Sequence, residues 1–127
     1  MQEPRRRLEG LVRNGLKVGF ARGFRVPERF VSDLRRATYT SFTRSAIDSD
    51  DFRRARRLDR RIAATGRPLL VVYGREDRLV DPHADAAWRV PGARIVGIAG
   101  AGHSPQVERP RLTAGLIDGF AAPLLRP

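Results

Sequence analysis

The feature that most constrains the fold is "LLVVY" at residues 69–73, an unbroken apolar run set between Pro68 and Gly74. Alternating apolar and polar residues would mark a strand with one wet face. An unbroken run rich in valine marks a strand covered on both faces, as in a parallel sheet flanked by helices. The residues that follow fit that expectation. "DPHADAAWRV" opens a helix, with Asp81 as N-cap and Pro82 at its first position, and Trp88 is expected to pack it onto the sheet. After the "PG" turn at 91–92, "ARIVGIAG" at 93–100 predicts a second strand. "RPRLTAGLIDGFAAPLL" then starts a helix at Pro110, with Leu112, Leu116, Ile117 and Phe120 on one face. Strand, helix, strand, helix is a βαβ unit with one more helix, and so a portion of an open parallel sheet.

The first half of the chain has another character. "MQEPRRRLEGLVRNGLKVGF" is basic and interrupted by Gly10, Gly15 and Gly19, which predicts a frayed or loosely helical start. From Pro27, "VPERFVSDLRRATYTSF" sets Phe30, Val31, Leu34 and Ala37 at helical spacing. "SAIDSDDF" offers Ser49 or Asp50 as the N-cap of another helix, which is expected to run to about Ala64 and stop at "TGRP". The expected organisation is a helical, basic segment over 1–64 joined to a βαβα portion over 65–127.

In open α/β sheets, functional residues gather in the loops beyond the carboxyl ends of the strands. Two such loops exist here. "GREDRLVDP" leaves the first strand through Gly74 and carries Asp77; "GAGHSP" leaves the second and carries His103. If the strands are neighbours, both loops open on one edge and their side chains come within hydrogen-bonding reach. An imidazole acting as general base presents one nitrogen to the reacting hydroxyl or water. A carboxylate on the other nitrogen fixes the tautomer and stabilises the imidazolium that forms. Asp77 is the candidate orienting acid and His103 the candidate proton carrier.

Residues 67–121, from "RPLLVVYGREDRLVDP" to "GAGHSPQVERPRLTAGLIDGFA", resemble the C-terminal end of an α/β-hydrolase-fold protein. The family pattern has an apolar strand, G-x-x-D, a proline-started helix, a second strand and G-x-G-H followed by E-x-P. Pro68, Gly74, Asp77, Pro82, Gly100, Gly102, His103, Glu108 and Pro110 stand in the matching places. The resemblance implies that Asp77 is the acid and His103 the histidine of a nucleophile–His–Asp triad. It also implies that residues 1–64 correspond to cap helices and the helix leading to the next-to-last strand. The substrate would be a small molecule with an ester-like or related bond.

One part of that pattern is missing. The family places a nucleophile, commonly in G-x-S-x-G, before the acid and the histidine in chain order. Serines occur only at 32, 41, 45, 49 and 104, none in such a setting, and Ser104 adjoins His103 too closely for the required geometry. The expectation is therefore the C-terminal part of an α/β-fold hydrolase, separated from its N-terminal half and inactive alone, with a complementary N-terminal chain as a candidate partner. The alternative is a non-catalytic interaction module, or remnant, of the same fold.

Composition removes other classes. Without cysteine, disulfides, thiolate metal sites and a cysteine nucleophile are excluded, which favours the cytoplasm. No apolar run is long enough to span a bilayer. The net charge of +11 raises a nucleic-acid partner, but it is lopsided: residues 1–67 hold 18 basic and 8 acidic side chains. Within "RRARRLDRR" at 53–61, Ala55, Leu58 and Ile62 are expected on one helical face and the arginines on the others, as on a solvated helix. No interleaved aromatics accompany them, so nucleic-acid binding is disfavoured. A metal at Asp81, His83 and Asp85 is disfavoured because Asp81 is better explained as a cap. "GIAGAG" opens directly on no helix and so is not expected to hold phosphate. No cofactor is expected.

Overall fold

In the computed structural model, the described residues are 10, 13–55, 57–80 and 90–125. The β-branched runs behave as their composition dictates. Leu70–Gly74 forms β1 and Arg94–Ile98 forms β2, and the two pair in parallel with Leu70 opposite Arg94 and Gly74 opposite Ile98. Arg94 N–H donates to Leu69 O and Arg75 N–H to Ile98 O, which extends the ladder past both ends. Because the strands are parallel and in register, the loops that follow them leave from the same edge. The expected crossover helix from Asp81, with Pro82 and Trp88, lies outside the described residues, as does His83.

Beyond β2, Ser104 ends the loop and Pro105 opens a single helical turn, α4 (Pro105–Glu108). A longer helix, α5 (Pro110–Ala121), starts at Pro110 as the sequence predicts. Thr113 is buried and its hydroxyl donates to Pro105 O at 3.0 Å, which fixes α5 to α4. The face read as apolar is only partly covered, however: Leu116 and Phe120 are half-buried. Leu112 and Ile117 stand more than half exposed.

Before the sheet, the chain is helical at 13–16 and tightens into a 3-10 turn at Lys17–Gly19. Three helices follow: α1 (Glu28–Arg36), α2 (Tyr39–Ala55) and α3 (Leu58–Ala63). Pro27 is the N-cap of α1. Glu28 in the first turn of α1 and Arg35 and Arg36 in its last turn match the helix dipole. Arg13 donates to Glu28 at 2.6 Å, and this hydrogen bond, with the guanidinium charge, holds the Glu28 carboxyl below its ordinary range.

Two helix boundaries differ from the sequence reading. The expected N-cap at Ser49 or Asp50 is absent, because both residues lie inside α2. The cap is Thr38, whose hydroxyl accepts the Ser41 N–H at 3.1 Å while its carbonyl accepts the Phe42 N–H at 3.0 Å. The arginine run is also split, with α2 ending at Ala55 and α3 opening at Leu58. Ala55, Leu58 and Ile62 therefore do not share one continuous helical face.

The core gathers where the helical segment meets the loops of the sheet. Phe20, Val26 and Val31 are buried together, with Leu16, Phe24, Phe30 and Val107 packed against them. Phe20 stacks on Phe24 at 5.4 Å between ring centres and meets Phe30 edge-on at 5.3 Å. Val107 belongs to α4, so the turn that follows the His103 loop is anchored in this cluster.

Candidate active site

The loop after β1 turns at once. Asp77 N–H donates to Gly74 O at 3.1 Å, and the Asp77 side chain bends back onto its own loop. Its Oδ1 accepts the Leu79 N–H at 2.8 Å and the Val80 N–H at 3.3 Å. This is the local ring that aspartate favours in turns. It leaves Oδ2 free to face outward from the turn.

The loop after β2 brings His103 to that oxygen. Gly100 takes a φ of +68°, a left-handed conformation that glycine adopts without strain, and the chain folds over Gly74. A Cβ on Gly74 would meet Gly102 O at 2.0 Å and Ala101 O at 2.3 Å, so the two loops touch through backbone at this point. Glu76 N–H donates to Ala101 O at 2.9 Å, which locks the approach.

The structure brings together the two residues singled out from the sequence. His103 Nδ1 lies 2.9 Å from Asp77 Oδ2. The Asp77 side chain is 10% exposed and that of His103 is 49% exposed, so the carboxylate is sheltered while the imidazole reaches solvent. Where the carboxylate is ionised and the imidazole neutral, Nδ1 carries the hydrogen and Nε2 presents its lone pair, because a carboxylate can only accept. That arrangement can take a proton at Nε2 and stabilise the resulting cation through Oδ2. Ser104 serves as backbone support: its carbonyl accepts the N–H groups of Val107 and Glu108 at the start of α4.

A third segment completes the surroundings. The stretch 19–21 passes directly behind the His103 loop. His103 N–H donates to Gly19 O at 2.8 Å, and a Cβ on Gly102 would meet Ala21 N at 2.7 Å. Glu108 is buried against both strips of backbone. Its Oε1 accepts the Ala21 N–H at 2.6 Å and its Oε2 accepts the Gly102 N–H at 2.7 Å. Glu108 stands in the sequence pattern without a legible partner, since its donors are main-chain groups that no side-chain spacing reveals. Arg78 closes the same segment from the other loop, donating to Lys17 O at 2.5 Å and Phe20 O at 3.0 Å. A cavity of about 440 Å³ adjoins it, lined by Lys17, Ala21, Arg22, Gly23, Phe24 and Arg78. Among the described residues, no group of three His, Cys, Asp or Glu is placed to hold a metal. Nor is any described helix long and apolar enough to cross a membrane.

Parallel strands with helices, and an acid–imidazole pair in the loops at the carboxyl edge, define an α/β protein whose chemistry-bearing side chains sit where such folds gather them. Residues 2–116 match the model of the alpha/beta hydrolase family, and the chain belongs to that family. No curated protein matches the sequence.

Proposed function

We propose that Asp77 and His103 are the acid and the histidine of a nucleophile–His–Asp triad in a hydrolase acting on ester-like or related bonds of a small molecule. The observation that carries this reading is the 2.9 Å contact between His103 Nδ1 and Asp77 Oδ2, made by an otherwise immobilised carboxylate. His103 Nε2 takes the hydroxyl proton of a serine-type nucleophile as that oxygen attacks the substrate carbonyl. The imidazolium then gives the proton to the leaving group. In the second half, Nε2 takes a proton from water, the hydroxide attacks the covalent intermediate, and the proton returns to the nucleophile. Asp77 stays ionised throughout and keeps the imidazole in one tautomer.

None of the serines at 32, 41, 45, 49 and 104 lies in G-x-S-x-G, so in this reading the nucleophile belongs to a segment outside these 127 residues. Residues 1–64 then serve as cap-like helices and 65–127 as the acid- and histidine-bearing part of the core. A complementary N-terminal segment is the partner that completes the site. A second reading, an interaction module without catalysis, draws support from the exposure of Leu112 and Ile117 on α5.

The purified chain is expected to leave p-nitrophenyl esters unhydrolysed. Co-expression with a hydrolase segment carrying G-x-S-x-G, the coding region directly upstream being the first choice, is expected to restore turnover. That turnover should fall by about 10⁴-fold in His103→Ala and in Asp77→Asn. Hydrolysis by the chain alone, lost in His103→Ala, would show that the nucleophile is already present. A restored enzyme indifferent to both substitutions would end the triad reading, and pairing without turnover would favour the interaction module.

A further inference from the structure

We infer that Glu108 is a positioning residue, a buried carboxylate clamp that sets the His103 loop against the 19–21 segment so that the imidazole meets Asp77. The inference rests on the triad reading only for its purpose; the clamp itself is a matter of geometry.

Glu108 is 4% exposed, and each of its carboxylate oxygens has a separate task. Oε2 holds the amide of Gly102, the residue immediately before His103, at 2.7 Å. Oε1 holds the amide of Ala21, which is 87 positions away in sequence, at 2.6 Å. The His103 N–H closes the other side of the same junction by donating to Gly19 O at 2.8 Å. The backbone of 102–103 is thus pinned to 19–21 at two adjacent points, one through a carboxylate and one directly.

The route by which Glu108 gets there is short. Ser104 and Pro105 start α4, and one helical turn carries residue 108 back beneath residue 102. Val107, in the middle of that turn, packs against the Phe20, Val26 and Val31 cluster, which holds the turn in depth. Gly102 has no side chain because the backbone of Phe20 and Ala21 occupies that space. With no room for a side chain to fasten the loop from Gly102 itself, the fastening comes from a residue further along.

The chemistry of the clamp is specific to a carboxylate. It faces two N–H donors and accepts from both. Glutamine has nearly the same size, but its NH2 would face one of those donors and leave that amide unpaired. Aspartate is one methylene too short to span both. Glu108→Gln therefore tests the clamp with little change of volume.

The test reads His103 itself by ¹⁵N NMR of the full chain, with the only other histidine, His83, assigned through His83→Gln. In the wild type, His103 should show an Nδ1–H resonance at low field and ring shifts of the Nδ1–H tautomer, both lost in Asp77→Asn. In Glu108→Gln, with the far-UV circular dichroism retained, the low-field resonance should vanish and the ring shifts move towards a mixture of tautomers. A folded Glu108→Gln protein with unchanged His103 signals would overturn the clamp and leave the triad reading intact. A wild type lacking the Asp77-dependent signature would overturn both. Hydrogen exchange of the wild type decides the matter even if the variant fails to fold. The amides of Ala21 and Gly102 should exchange at least about 100-fold slower than unprotected amides, and exchange at the unprotected rate would overturn the clamp.

Discussion

The two carboxylate oxygens of Asp77 answer two demands that a single residue type rarely reconciles. Oδ1 does what any turn aspartate does and collects the amides of Leu79 and Val80, while Oδ2 faces His103. Turn-former and partner of the imidazole are therefore the same side chain, and the first contact fixes the geometry for the second. This pair was legible in the sequence because both residues follow strands whose apolar runs are plain. Glu108 was not, because its partners are the main-chain amides of Ala21 and Gly102, and only the folded backbone brings those together. In the sequence Gly74 reads as a simple exit from a strand. Its more exacting role is contact: a Cβ there would lie 2.0 Å from Gly102 O and 2.5 Å from Ala101 C, both backbone atoms that cannot swing aside. Gly74→Ala should therefore cost at least about 3 kcal/mol, the upper end of what overpacking usually costs. A urea melt would measure it, and a midpoint within error of the wild type would mean that the two loops do not meet in solution.

The elements divide into those with strong local signals and those without. β1, β2 and α5 were legible because valine- and isoleucine-rich runs and a proline at the helix start act over a few residues. The junction between α1 and α2 was not. Ala37 leaves the helical conformation with a ψ of 127°, and neither glycine nor proline marks the stop. The Thr38 cap is masked in the sequence by "SAIDSDD", which offers louder cap residues further on. Those serines and aspartates pass through α2 exposed, where each costs at most about 0.7 kcal/mol relative to alanine. Phe42, Ile47 and Phe52 do not recur on one stripe of α2, so periodicity gave no help in placing its ends. In α5 the same propensity argument yields a stabilising change. Gly115 and Gly119 sit inside the helix without positive φ, and a Cβ at either would meet nothing within 4 Å. Gly115→Ala and Gly119→Ala should each add about 0.5–1 kcal/mol. Thermal melts should show Tm rising by about 2–4 °C for each. A drop in Tm would mean that this face of α5 is tightly covered in solution.

At the scale of the whole molecule, two properties pull in opposite directions. Among the described residues, Tyr39, Phe42, Ile47, Phe52, Leu112 and Ile117 are all at least half exposed, whereas Ile98 and Val31 are the large side chains buried most completely. The described sheet has two strands, and each has an edge free of the other. Two-stranded sheets are marginal alone, open edges invite pairing, and apolar faces of this kind associate. Against that stands the net charge of +11, which keeps like molecules apart. The balance is set by ionic strength. At about 0.01 M salt the Debye length is roughly 30 Å and repulsion reaches across a molecule of this size, while at about 0.15 M it falls to roughly 8 Å. Self-association measured by sedimentation velocity should therefore strengthen as salt is raised, together with loss of the apolar surface that binds a hydrophobic dye. Nucleic-acid binding through the arginines of 53–61 would show the opposite dependence, weakening as counterions compete for the phosphates. A chain that stays monomeric at high salt and binds no dye would mean that the exposed apolar residues of α2 and α5 are covered from within. A chain retained on DNA at low salt and released by high salt would bring back the nucleic-acid reading that the sequence disfavours. Increasing association with salt is the outcome that fits the open strand edges and exposed apolar side chains of the described residues.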